Sequence, residues 1–289
     1  MIKDLFKQKK PVVSFEVFPP KQDADIESIY QTLAQLKPLK PDFISVTYSA
    51  GGSGGTQITL EVASAIKNKY GIEPLAHLTC IQASPEEIDQ YLNKLRNDGV
   101  LNIMALRGDF PPDGPKPMPH YNYAKELIAQ IKANHQDFCI GGAAYPEGHI
   151  NAESMDESLT HMQQKVEAGA DFLITQLFFD NREFNTFREK ALKMGITTPV
   201  SAGIMPILGL GQIQKMIFMC GVSLPSQIIR ILNKYEHSPE DLLKAGLEYS
   251  SLQIRDLIGA GVDGIHIYTM NRPQIAEDIL SNIKDLLAY

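Results

Sequence analysis

The stretch PLAHLTCIQASPEEIDQYLNKLRNDGVLNIMALRGD, residues 74–109, reads as one strand–helix–strand unit. PLAHLTC (74–80) and NIMALRGD (102–109) are short, apolar runs rich in β-formers, the pattern of buried strands. Between them, Ser84-Pro85-Glu86-Glu87 is a helix start. Serine is a good N-cap, proline is pre-set for the first helical turn, and the two acids suit the positive end of the helix dipole. Gly99 follows where a left-handed C-cap is expected. A helix crossing between two such strands makes them parallel.

The same unit recurs along the chain. Further strand-like runs are VVSFEVF (12–18), FISVTYS (43–49), CIGGAAYP (139–146), FLITQLFF (172–179), PVSAGIMP (199–206) and GIHIYTM (264–270). Helix-like stretches lie at about 24–36, 57–70, 85–98, 123–134, 154–169, 181–194, 210–220 and 272–287. Ser238-Pro239-Glu240-Asp241 repeats the N-cap pattern, and Gly71, Gly195 and Gly261 repeat the C-cap. Eight βα units predict a (β/α)₈ TIM barrel in a single domain over residues 1–289, with its active site at the C-terminal ends of the strands. About 58 residues separate the seventh run from the eighth, so extra helices are expected before the last strand. Residues 2–8 are expected to form a short helix capping the barrel floor. In the loop SAGGSGGT (49–56), Thr56 is the expected N-cap and the helix N-terminus could hold an anion. The proline-dense loop 109–121 is expected over the rim.

Composition excludes several classes. The 289 residues carry a net charge of −7 with no basic stretch, which argues against nucleic acid. Cys80, Cys139 and Cys220 are far apart, so neither a disulfide framework nor a cysteine zinc site is expected, and a reducing cytoplasm fits. No HExxH or His/Cys cluster suggests a metal. The first ten residues, MIKDLFKQKK, are no signal peptide, and no apolar run is long enough to span a membrane.

The runs end in chargeable or polar residues, so the chain reads as an enzyme. Glu16 closes the first run, on the opposite face from Phe15. In apolar surroundings its carboxyl could donate a proton near neutrality; alternatively it pairs with a neighbouring strand's arginine. Arg107-Gly108-Asp109 closes the fourth run. The arginine fork suits phosphate or carboxylate, and the glycine allows close backbone approach; the bland alternative is an Arg107–Asp109 salt bridge. His77 and His149 stand at the same rim. Gln176 is a polar group in an apolar run and needs a partner. Tyr268 and Arg272, in YTMNR, end the eighth strand and open the last helix.

Eight motifs together resemble the methylenetetrahydrofolate reductase family in its short bacterial form: SFEVFPP (14–20), PDFISVTY (41–48), HLTC (77–80), ALRGDFPP (105–112), AAYPEGH (143–149), KVEAGADFLITQLFFD (165–180), GIMP (203–206) and IYTMNR (267–272). The resemblance implies a barrel that holds FAD without a Rossmann motif and takes NADH or NADPH as electron donor. It implies ping-pong reduction of 5,10-methylenetetrahydrofolate to 5-methyltetrahydrofolate, which supplies methyl groups for methionine synthesis. It implies a homo-oligomer and a chain without the regulatory domain of eukaryotic members. By position, Glu16 matches the general acid, and Asp109 the aspartate that binds the pterin and influences the flavin. Gln176, Gln212, Tyr268 and Arg272, with Asp109, match substrate-binding positions. Thr47, Tyr48, Ala50, His77, Arg107, Gly108, Asp109, Tyr145, His149, Ala152 and Lys165 match cofactor-binding positions, as does Tyr123, for which Tyr121 is the alternative. Ser158, His161 and Gln164 depart from the common Asp, Asn and Arg at the adenine end, and Met216 stands where phenylalanine is common. Two rival readings are a folate-binding barrel that moves a one-carbon unit without flavin, and a binding barrel without catalysis. Glu16 and Asp109 argue against the second.

Overall fold

An N-terminal helix, α1 (Ile2–Gln8), plugs the floor of a closed barrel of eight parallel strands. The computed structural model describes residues 1–20, 26–48, 52–110 and 119–287, with residues 52–56 given by their backbone alone. The strands are β1 (Val12–Val17), β2 (Phe43–Val46), β3 (Glu73–Thr79), β4 (Asn102–Leu106), β5 (Cys139–Ala144), β6 (Phe172–Thr175), β7 (Val200–Ile204) and β8 (Gly264–Tyr268). Each pairs with its sequence neighbour, and β1 closes on β8 through Ser14↔His266 and Glu16↔Tyr268. The TIM-barrel expectation is met. After α1 the helices run α2 (Glu27–Leu36), α3 (Gly52–Asn68), α4 (Pro85–Asn97), α5 (Ala124–Asn134), α6 (Met155–Glu167), α7 (Asn181–Lys193), α8 (Leu210–Cys220), α9 (Ser226–Lys234), α10 (Pro239–Gly259) and α11 (Pro273–Ile283).

Strand alternation sorts the barrel into layers. The lowest inner layer is apolar: Val12, Phe43, Leu75, Met104, Cys139 and Phe172 pack against Ile2 and Phe6. The next turn up the strands is polar and buried, with Ser14, Ser45, His77 and His266. Glu16 stands above it at the mouth. Phe15 belongs to the separate cluster between strands and helices, so Glu16 faces inward as expected.

Three local expectations are corrected. First, α3 starts at Gly52, so Thr56 lies inside the helix and is not its cap; propensity, which disfavours glycine, is a weak prior. Second, Ser84 forms a full capping box with Glu87, but the Ser238 hydroxyl donates to Asp241 Oδ2 (2.6 Å) and caps no N–H. Third, β6 stops at Thr175, four residues short of the apolar run, because β7 pairs only with Leu173 and Ile174. The remainder, Leu177–Phe179, is covered instead by the helices inserted before β8. Leu177 and Phe179 pack with residues of α8, α9 and α10. Gln253 Nε2 donates to the Phe178 carbonyl (3.0 Å) and the Tyr249 hydroxyl to that of Phe179 (2.6 Å). Backbone that left the sheet thus regains its hydrogen bonds from α10.

Candidate active site

Glu16 is 7% exposed and held from two sides. Its carbonyl accepts from the Thr269 hydroxyl (2.6 Å), and Asn271 clamps the next turn of chain, accepting from the Phe18 N–H and donating to the Phe18 carbonyl (both 2.8 Å). Met270 and Asn271 both adopt left-handed backbone, φ 54, which is costly for residues other than glycine and here directs the end of β8 back onto β1.

The Glu16 carboxylate does not meet an arginine. Oε2 lies 3.5 Å from His266 Nε2 and 3.6 Å from His77 Nε2. These contacts are close enough for charge to be felt and too long for good hydrogen bonds. Each imidazole is anchored by a serine: Ser45 Oγ lies 2.6 Å from His77 Nε2, and Ser14 Oγ 2.7 Å from His266 Nδ1. Burial pushes the His77 pKa down to about 4, against the pull of Glu16, so this ring is neutral at pH 7. His266 is wholly buried, and among the described residues its Nε2 finds no hydrogen-bond partner. The apolar surroundings expected of Glu16 are therefore replaced by two imidazoles. Sequence reading missed His266, Ser14, Ser45, Thr269 and Asn271. A usable signal was present: polar residues at alternate positions, 14 and 16, 266 and 268, in strands otherwise apolar.

Beside this centre, a cleft of about 160 Å³ opens over the ends of β4 and β5 and the flanks of α5 and α6. It gathers Arg107, Tyr123, Tyr145, His149, Ala152 and Lys165 of the expected cofactor contacts, together with Ser158, His161 and Gln164. Tyr121 is buried and hydrogen-bonded to Gln130, so Tyr123 is the tyrosine at the cleft. Lys165 is 8% exposed; its ammonium donates to the Ala143 carbonyl and lies 5.4 Å from the Tyr145 ring centroid. Among the described residues it has no carboxylate partner, and burial lowers its pKa to about 8. Burial likewise lowers the His149 pKa, with Arg107 and Lys165 adding to the effect, and pushes the Tyr145 hydroxyl up to about 12. Glu157 is the sole acid among the lining residues, and it is engaged by the Glu153 N–H (2.6 Å). In a chain of net charge −7, this cleft is cationic and aromatic. A planar ring system carrying an anionic diphosphate, as in FAD, fits that chemistry.

The other expected residues are placed around the mouth and not in the cleft. Thr47 and Tyr48 follow β2, and Tyr48 packs edge-on to Tyr91. Gly108 has φ +79, and a Cβ there would fall 2.9 Å from Thr79 Cβ, so glycine is required. Asp109 is 95% exposed, and its Oδ1 lies 3.7 Å from Arg107 Nη2, a loose contact. Gln176 Oε1 accepts the Leu177 N–H (2.9 Å). Gln212 is engaged at both ends by its own loop, accepting from Leu208 N–H (2.8 Å) and donating to the Pro206 carbonyl (3.0 Å). The Tyr268 hydroxyl donates to the Thr175 carbonyl (2.8 Å), and Arg272 is exposed at the start of α11. Met216 packs with the cluster under α8. Ala50 and residues 111–118 of the proline-dense loop lie outside the described residues. Among the described residues no helix is long and apolar enough to cross a membrane.

Known proteins resemble the chain in fold and in sequence. An uncharacterized protein from Clostridium thermocellum, described as binding two copies of 5-methyl-5,6,7,8-tetrahydrofolic acid, superposes with a TM-score of 0.68 over 99% of both chains; at 14% identity this speaks to fold alone. The 5,10-methylenetetrahydrofolate reductase of Pectobacterium carotovorum subsp. carotovorum is 36% identical over 264 residues, 91% of this chain and 87% of that protein. The enzyme of the same name from Escherichia coli (strain K12) is 35% identical over 91% of this chain and 88% of its own length. The family model for methylenetetrahydrofolate reductase matches residues 1–284. With a barrel mouth built around Glu16 and sequence agreement along nearly its whole length, the chain belongs to the methylenetetrahydrofolate reductase family.

Proposed function

We propose that the chain works as one catalytic barrel in the cytoplasm, as a homo-oligomer. It reduces 5,10-methylenetetrahydrofolate to 5-methyltetrahydrofolate with NADH or NADPH, and so supplies methyl groups for methionine synthesis. The two substrates use one site in turn. Bound FAD would accept hydride from the nicotinamide and pass it to the folate's one-carbon group. The observation that carries the reading is Glu16: a buried carboxyl at the centre of the mouth, fixed by β8 and flanked by imidazoles.

In this reading Glu16 protonates the folate nitrogen that leaves as the five-membered ring opens to an iminium cation. An amine leaves poorly until it is protonated, which is the service a positioned acid provides. His77, neutral at pH 7, places no cation beside the acid. Asp109, Gln176, Gln212, Tyr268 and Arg272 orient the folate, Arg272 at its glutamate tail. Lys165, Arg107, Tyr123, Tyr145, His149 and Ala152 hold FAD in the cleft, with Thr47, Tyr48, Ala50, His77 and Gly108 completing its surroundings. The Lys165 ammonium, without a carboxylate partner among the described residues, supports an anionic ligand there.

The test is anaerobic. Purified protein should be yellow, bleach with NADH or NADPH, and regain colour on addition of methylenetetrahydrofolate. A colourless protein that binds folate but takes up no FAD on reconstitution would favour the one-carbon transfer reading.

A further inference from the structure

We propose that Lys125, held by Gln164, supplies a second cation for the diphosphate of the bound dinucleotide, an inference that rests on the FAD reading above. Lys125 lies in the first turn of α5, where the helix dipole disfavours a cation. Lys125 nevertheless lines the cleft. Its ammonium donates to Gln164 Oε1 on α6 (2.9 Å, partly buried) and sits 5.6 Å from the Tyr123 ring centroid. Among the described residues no carboxylate pairs with it. Gln164 is a tether without charge: it fixes the ammonium but leaves its charge, and two of its three N–H donors, for something else. A diphosphate reaching past buried Lys165 would meet that charge. The neighbouring rings of Tyr123 and His161, 5.0 Å apart, form an aromatic edge beside it, suited to the nucleotide base.

The test separates ring from diphosphate. Apo-protein of the full chain is titrated with FAD and with riboflavin, which lacks phosphates, in Lys125→Met and in the parent chain. The variant should lose roughly tenfold or more in FAD affinity, the worth of one charge-assisted hydrogen bond. Its riboflavin affinity should be unchanged, and its FAD affinity should depend less steeply on salt. Adding Gln164→Arg to Lys125→Met should restore most of the FAD affinity. An unchanged FAD affinity in Lys125→Met would overturn the inference while leaving FAD binding intact, as would an equal loss for riboflavin. A folded parent chain that binds no FAD would overturn the FAD reading and this inference with it.

Discussion

Glu16→Gln is the residue-scale test of the proposed chemistry. Glutamine keeps shape and burial but has no acidic proton. Nicotinamide oxidation involves no amine leaving group and should continue at near its normal rate. Folate reduction should fall by about 10²–10⁴-fold, the usual worth of a positioned acid. Stopped-flow traces of the two half-reactions, without oxygen, decide it; equal slowing of both would make Glu16 a structural residue. Lys165 gives a pH signature. Its pKa, lowered to about 8 by burial, means the ammonium is charged below pH 8 and increasingly neutral above. FAD affinity should therefore be highest below pH 8 and fall as pH rises through it, and Lys165→Met should bind more weakly with a flatter profile. Titrations at pH 7 and pH 9 measure this directly.

At the scale of the element, α10 caps the carbonyls of Phe178 and Phe179 after β6 leaves the sheet. Its seating depends on Gly246, where an added Cβ would lie 2.2 Å from the Ile207 carbonyl oxygen, a backbone atom that cannot swing away. Gly246→Ala should cost about 1–3 kcal/mol, the scale of overpacking a closed core. At Gly259, the last residue of the same helix, an added Cβ would meet nothing within 4 Å, so Gly259→Ala should be neutral or stabilise slightly. Thermal melts should show Gly246→Ala falling below the parent chain while Gly259→Ala matches or exceeds it; equal melts would mean α10 packs less tightly against the β7 loop than its geometry requires.

Across the whole molecule, the buried polar layer makes stability depend on pH. His77 is neutral in the folded chain down to about pH 4, whereas an unfolded histidine takes a proton near pH 6.5. The unfolded state therefore binds more protons between these values, and stability should fall as pH drops from 6.5 towards 4. The loss attributable to this ring is on the order of 1–3 kcal/mol, and His77→Asn should flatten that part of the curve in denaturant titrations from pH 7 to pH 5. Ligand linkage acts the other way. FAD at about 100 times its dissociation constant should stabilise the chain by about 2.7 kcal/mol and raise Tm by several degrees. No shift with saturating FAD would contradict the proposed cofactor.

The eight strands, their order and the C-terminal location of the mouth were legible in residues alone, because each βα unit carries local signals: a short apolar run, an N-cap such as Ser84, a glycine such as Gly99. Glu16 was legible for the same reason, since strand period fixes its face opposite Phe15. Where those signals are non-local, sequence reading stops. FLITQLFF reads as one strand through Phe179, yet it leaves the sheet at Thr175, and α10, about 75 residues away, offers its carbonyls other donors. Tyr121 and Tyr123 are equivalent in sequence, and only packing buries one and leaves the other at the cleft. The two imidazoles on Glu16 come from β3 and β8 and meet it only because the barrel closes. Local chemistry determined which elements form and which way their side chains face; closure of the barrel, which brings residues 250 positions apart within 4 Å, decided which charges stand together.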